Sequence, residues 1–310
     1  MYFYYKVFGF ILRSQFEIRQ LMPAKETDHF DIDVVFEAVP KEIIEDIENP
    51  DTFSRYNWTK EYIWLKNIYG IFAVYKSGKI YIQNTSDSDT LFLLQFVLGY
   101  GISMYAHLHN KVALHCGAVS IDGKGVLITG ASGAGKSTLT TELLNDGAKM
   151  LSDDVIAVGY EDGVPYVYPA FPQQKLCRDA AMARGYNLDE LLYIDPDKDK
   201  FALNRSDIFL TEPQKLDTIF LLQWYDPEAE EYKDYNNEIQ VFEIEGVNKV
   251  NIIVNQLFLL FMIANVGFPA EHFQLCTDLA VHTRICWIFR PKDSDTMEEV
   301  KKIVYETIKD

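Results

Sequence analysis

Three groups of residues in this chain have types and spacings suited to chemistry. The first is the run GASGAGKST at residues 130–138. It fits G-x-x-x-x-G-K-[ST], with Gly130, Gly135, Lys136 and Ser137 at the fixed positions and Ala131, Ser132, Gly133, Ala134 and Thr138 completing the loop. Glycines at this spacing let backbone N–H groups point inward around a phosphate chain. The helix start that follows adds partial positive charge. In such a loop the lysine reaches the β- and γ-phosphates of a nucleoside triphosphate, and the Ser137 hydroxyl binds Mg²⁺. The second group is the carboxylate pair Asp153 and Asp154, set inside the apolar run KMLSDDVIAV. Unpaired carboxylates are costly to bury, so apolar residues on both sides argue against two solvated turn acids. Neighbours on a strand point to opposite faces, so one acid can hold Mg²⁺, directly or through water, while the other faces an acceptor hydroxyl. The third is His115, in VALHCGAVSI. Its spacing alone favours an ordinary hydrogen-bonded core histidine.

Local elements must position these groups. Residues 125–129 read as a short strand running into the glycine-rich loop, and residues 137–145 as a helix running out of it, ended by Gly147. Residues 111–128 read as a β-hairpin turning at Asp122-Gly123, with Ala113, His115 and Gly117 on one face of its first strand. That strand would lie beside the one feeding the loop. Residues 149–158 read as one strand carrying the acid pair.

The chain before the hairpin is different in kind. Residues 2–12, 30–38, 61–65, 71–75 and 79–83 read as strands, with a tight turn at Ser77-Gly78. Residues 42–47 suggest a short helical turn closed by Pro50. Residues 1–87 are therefore expected to form a smaller β-rich domain, for recognition, for assembly or as a cover to the main sheet. Residues 88–110 are expected to form a linking helix, capped by Ser88 or Asp89, and residues 111–310 the main domain. His107 and His109 cannot share a helix face, so a metal site is not expected of them; charge at the helix C-terminus is the plainer reading. Beyond the acid pair, strands are expected at 164–168, 219–223, 238–245 and 286–289, helices at 248–266, 270–282 and 296–309, and a charged loop at 195–200.

Composition narrows the partners. A net charge of −17 opposes general nucleic-acid binding, which needs clustered Lys and Arg. The four cysteines lack C-x-x-C spacing and form no Cys/His cluster with zinc-ligand spacing, which suits a reducing, cytoplasmic setting. The apolar runs at 91–109 and 252–268 are interrupted by polar residues and fall short of the ~18 apolar residues of a membrane span.

The run LHCGAVSIDGKGVLITGASGAGKSTLTTELLNDGAKMLSDD, residues 114–154, resembles the catalytic domain of HPr kinase/phosphorylase. YPAFPQQKL and the N-terminal segments YKVFGF and LLQFVLGYGISMYAHLHN are similar to its shorter HPr-kinase-like relatives, which include kinases acting on the C-terminal serine of lasso-peptide precursors. The resemblance implies an α/β fold related to phosphoenolpyruvate carboxykinase, a mixed sheet with flanking helices carrying a P-loop. It implies Asp154 as general base on an acceptor serine, Lys136 as clamp on the transferred phosphoryl, His115 as an active-site residue, and Ser137 on Mg²⁺; with Asp154 so placed, Asp153 is the acid of the pair left for the metal. The family's E-I-R-G segment is absent here, which speaks against the reverse reaction and against HPr itself as substrate. Lys175, Arg178, Lys200 and Arg205 are candidates to stabilise the transferring phosphate, each with a solvated surface as its plain alternative.

The expectation is an ATP- and Mg²⁺-dependent kinase acting on a serine of a peptide or small protein, with no nucleic-acid or membrane partner and with a homo-oligomer left open. A kinase for a small molecule such as an amino acid, or a nucleotide-sensing regulator, are the alternatives.

Overall fold

In the computed structural model, which describes residues 1–27, 29–49, 55–85, 90–195, 199–292 and 294–309, the strands gather into three sheets. The first has eight strands, all from residues 3–84, in the order 22–23, 3–7, 10–14, 32–35, 79–84, 70–75, 62–66, 56–58. The strand expected at 2–12 is a hairpin, Phe3–Val7 with Phe10–Ser14, folded at Phe8-Gly9 with φ of 52° and 76°. Two left-handed turn residues match the twist of a hairpin. Phe8 hid this turn because its side chain is buried, which offsets the strain of its positive φ. The hairpin at Ser77-Gly78 forms as expected. Helix Lys41–Glu48 also forms; Pro50, Ser88 and Asp89 lie outside the described residues.

The apolar helix expected at 91–109 is Thr90–Phe96, a π-helical turn Val97–Gly101, and Ile102–Leu108. Ser103 Oγ donates to Gly99 O at 2.6 Å within the widened turn. His107 is buried rather than offering charge at the helix end, and that burial holds its ring neutral.

The second sheet positions the site. Its strands run in the order 149–152, 117–121, 124–130, 214–225, 164–168, 155–161, 112–115, with 284–291 joining 214–225 and 240–243 outside it. Lys124–Gly130, Gln214–Tyr225 and Arg284–Pro291 are parallel, and Gly130, Leu222 and Ile288 lie level at their carboxyl ends. The remaining pairings of this sheet are antiparallel.

Two runs that read as single strands are each broken. Val112–His115 and Gly117–Ile121 sit at distant places in the strand order, as do Lys149–Ser152 and Val155–Glu161. The breaks meet in space: Cys116 N donates to Asp154 O at 3.0 Å. The sheet twists and curls until both runs turn one corner, each exchanging partners there, with a register shift at Ala118/Val119 beside it. His115 therefore pairs with Val155, not with the strand feeding the loop.

The helix expected at 248–266 is also two, Val247–Asn255 and Leu260–Val266. Its interruption serves the edge strand: His115 N donates to Gln256 O at 2.7 Å, and Phe258 N to Ala113 O at 2.9 Å. Backbone groups that an edge strand would leave unpaired are satisfied this way. The strand expected at 219–223 extends over Gln214–Tyr225. Of the charged loop expected at 195–200, residues 196–198 lie outside the described residues, and its two ends belong to strands Leu192–Asp195 and Lys200–Asn204. With Gln173–Cys177 these make the third, three-stranded sheet.

Helix Lys136–Asn145 packs between the second sheet and the closing helix Met297–Lys309, burying Leu139, Leu143, Phe220, Val300 and Val304. A larger core runs continuously from Tyr5 in the first sheet to Ile285 in the second. Among the described residues no helix is long and apolar enough to cross a membrane.

Candidate active site at the corner of the second sheet

The glycine-rich loop leaves the carboxyl edge of the parallel strands. Gly130 has φ 143°, and a Cβ there would meet Leu222 O at 2.1 Å, so only glycine lets the chain pass its neighbour. Ala131, Ser132 and Gly133 are exposed, Ala134 is buried, and Gly135 turns into the helix with φ 102°. Ser137 and Thr138 are exposed in the first helical turn, and the Ser137 hydroxyl has no partner among the described residues. Lys136 Nζ folds back to donate to Gly130 O at 2.7 Å and Ala131 O at 3.1 Å. Burial lowers the pKa of this ammonium, against the opposing pull of Asp154. Outside the loop, Arg290 Nη2 donates to Ala134 O at 3.4 Å and Nη1 to Thr296 Oγ1 at 3.3 Å. No motif signals Arg290; only the parallel register brings it here.

The acid pair lies at the corner, and the two carboxylates have different partners. Asp154 Oδ2 accepts from Lys175 Nζ at 2.6 Å, and its Oδ1 is 3.4 Å from His115 Nδ1. Asp153 Oδ2 accepts from the Lys175 backbone N–H at 2.8 Å, while its Oδ1 is buried with no hydrogen-bond partner among the described residues. Burial pushes the Asp153 pKa up to about 6, with the Lys175 N–H opposing it. Burial acts on Asp154 too, but the Lys175 ammonium, its hydrogen bond and His115 outweigh it and hold the pKa below the usual carboxylate value.

The His115 side chain is 47% exposed, so it is not a sealed core residue. Desolvation lowers its pKa, Asp154 raises it, and the surrounding ammoniums lower it again. Thr129 ties the loop strand to this corner: its hydroxyl lies 3.3 Å from His115 O and is hydrogen-bonded to Gln256 Oε1. In the sequence Gln256 is only a polar interruption of an apolar run. The Phe258 ring lies parallel to His115 at 6.4 Å, and Tyr100, from the π-helical turn, is 5.2 Å from Phe258.

The four basic candidates separate. Lys175 is on Asp154. Arg178 is forked onto Asp199 at 2.7 and 2.9 Å, and Arg205 Nε donates to Gln174 Oε1 at 2.9 Å. Lys200 is half-buried and makes no hydrogen bond or ion pair among the described residues.

The donor set suits Mg²⁺. The Ser137 hydroxyl and Asp153 Oδ1, both without a partner among the described residues, are hard oxygens of the kind this ion takes together with phosphate oxygens and water. Among the described residues no cluster of three His, Cys, Asp or Glu offers a metal cage by itself.

Known proteins match the same stretch. Residues 106–168 match the HPr Serine kinase C-terminal domain. The HPr kinase/phosphorylase of Lactobacillus acidophilus is 27% identical over 204 residues, covering 63% of this chain and 57% of that protein. That of Bacillus subtilis is 46% identical over 57 residues, 18% of each chain. That of Pelodictyon phaeoclathratiforme is 30% identical over 79 residues, 26% of this chain and 22% of the relative. The matches thus span 18% to 57% of the length of these curated relatives. Among solved structures, the HPr(Ser) kinase/phosphatase from Coxiella burnetii aligns over 63% of this chain and 95% of that one, at 16% identity and a TM-score of 0.32. By its strands and helices the protein is a mixed α/β protein. Over the segment that holds His115, the glycine-rich loop and the acid pair, it is similar to the HPr kinases.

Proposed function

We propose that this chain is an ATP- and Mg²⁺-dependent kinase that transfers the γ-phosphoryl group to a serine hydroxyl of a peptide or small protein. The observation that carries the reading is the convergence of Lys136, His115, Asp154 and Lys175 at the mouth of the glycine-rich loop. The acceptor oxygen bonds to the γ-phosphorus as the bond from phosphorus to the β–γ bridging oxygen breaks. The acceptor proton passes to Asp154, and ADP leaves. His115 orients that carboxylate, and the loop N–H groups with Lys136 hold the phosphates in line. Bound Mg²⁺ would neutralise phosphate charge from Ser137 and Asp153. Most of the acceleration comes from positioning and charge neutralisation.

Residues 111–310 would hold this chemistry, with residues 88–110 as the linking helix and residues 1–87 presenting the acceptor. The last role is supported by Tyr56 of the first sheet, whose ring is 5.6 Å from Phe261 beside the site. The setting is the cytoplasm, where ATP is supplied. The relatives are named for HPr, but the missing E-I-R-G segment favours another acceptor. A precursor peptide ending in serine, as used by kinases the chain resembles, is the first to test. Incubation with γ-labelled ATP and such peptides, with HPr and with free serine should label a peptide. Label on free serine alone would favour the small-molecule kinase, and nucleotide binding with no transfer to any acceptor would favour the regulator.

A further inference from the structure

We propose that Lys200, beside Lys175, forms a second cationic wall that contacts the terminal phosphoryl group of the bound nucleoside triphosphate. This rests on the kinase reading above and deepens it.

The register of the three-stranded sheet carries the argument. Lys175 pairs with Ala202, and Cys177 with Lys200. Residues opposite one another across antiparallel strands share a face, and so do alternate residues along a strand. Lys175, Cys177, Lys200 and Ala202 are therefore on one face. That face is turned toward the corner of the second sheet, because Lys175 Nζ ends 2.6 Å from Asp154. Lys200 stands one step along the same face.

Its charge is felt across the site, at Asp153, Asp154, His115 and Lys136. The other basic candidates on this side are engaged, Arg178 by Asp199 and Arg205 by Gln174. Three ammoniums, Lys136, Lys175 and Lys200, thus surround two carboxylates in a chain whose net charge is −17. Gathering like charges, one of them without a partner among the described residues, costs energy in a half-buried site unless an anion completes it. The glycine-rich loop supplies one wall for a phosphate chain. The cationic face of the small sheet is a second, on the side of Asp154. It is the terminal phosphoryl that must lie between Lys136 and Asp154, since Lys136 holds the phosphates of the donor and Asp154 takes the proton of the attacking hydroxyl. As the acceptor O–P bond forms and the bond to the bridging oxygen breaks, Lys200 balances charge on the phosphoryl oxygens, and the acceptor proton still goes to Asp154.

The test uses the full chain and three variants, Lys200→Met, Lys200→Gln and Lys200→Arg, with unfolding midpoints taken first. ATP and ADP binding are titrated with Mg²⁺, and transfer is measured separately. Lys200→Met and Lys200→Gln should weaken ATP binding by about 10- to 100-fold, the worth of a charged hydrogen bond, and ADP binding by less than about 3-fold. Lys200→Arg should restore most of the ATP affinity. Equal losses for ATP and ADP, or no loss in either neutral variant, would overturn the inference. If the wild-type chain binds both nucleotides and only the discrimination fails to change, the kinase reading stands and the role of Lys200 falls. If the wild-type chain binds neither, both fall.

Discussion

One residue, Lys175, distinguishes two adjacent acids by two hydrogen bonds. The Lys175 side chain is on Asp154, and the Lys175 backbone N–H is on Asp153. Asp154 is thereby kept ionised and faces His115, while Asp153 keeps one oxygen without a partner among the described residues. We expect Asp154→Asn to lower phosphoryl transfer by about 10²–10⁴-fold, the usual cost of a lost general base, with nucleotide affinity little changed. Asp153→Asn should instead move the Mg²⁺ requirement to higher concentration. Transfer rates and Mg²⁺ titrations on both variants check the pair, and the opposite pattern would reverse the assignment. Lys136→Ala should abolish transfer and weaken nucleotide binding, since the β- and γ-phosphates lose a charged partner. Full turnover by that variant would remove the loop from catalysis.

At the scale of elements, the loop depends on one glycine far more than on another. Gly130 has φ 143° and no room beside Leu222 O, whereas Gly133 has φ 82° and nothing within 4 Å of an added Cβ. Gly130→Ala should destabilise the fold by about 3 kcal/mol or more, from strain and a backbone clash. Gly133→Ala should cost only about 1–2 kcal/mol, the left-handed penalty alone. Denaturant midpoints decide between them, and equal costs would mean the strand edge can yield at Gly130. The interrupted helix at 256–259 is a second element-level device. It completes the hydrogen bonds of the strand that carries His115, so a continuous helix would leave that strand's edge open.

The whole molecule is joined by a buried histidine pair. His107 from the linking helix and His272 from Ala270–His282 have ring centroids 5.1 Å apart, and Trp58 of the first sheet meets both edge-on, at 5.1 and 5.4 Å. His107 Nε2 also accepts from Ala113 N at 3.3 Å, two residues before His115. Burial depresses both histidine pKa values from the ordinary 6.5. The unfolded chain therefore binds more protons than the folded one below that pH, so this contribution is intact above pH 6.5 and is lost as pH falls beneath it. Unfolding midpoints should fall between pH 7 and pH 5, and the slope should be shallower in His272→Gln. A slope unchanged in that variant would place the acid sensitivity elsewhere.

Much of the site was legible because its chemistry is local in sequence. The glycine-rich loop, its lysine and the Asp pair are set by short-range spacing, and the turns at Asp122-Gly123 and Ser77-Gly78 by residues that accept positive φ. A difference between Asp153 and Asp154 was expected from alternation along one strand, but they lie in the bend between two strands, and Lys175 gives them different partners. The broken strands at Cys116 and at Asp153-Asp154 could not be read, because an apolar run has the same pattern whether it keeps one partner or exchanges partners at a corner. The same limit hid the break at Gln256, the widened turn at Tyr100 and the place of Arg290. Lys175, Arg178, Lys200 and Arg205 were equal in the sequence. Only the pairing of Gln173–Cys177 with Lys200–Asn204, a register between segments separated by a helix and another strand, put two of them on the face that meets the carboxylates and gave the others partners of their own.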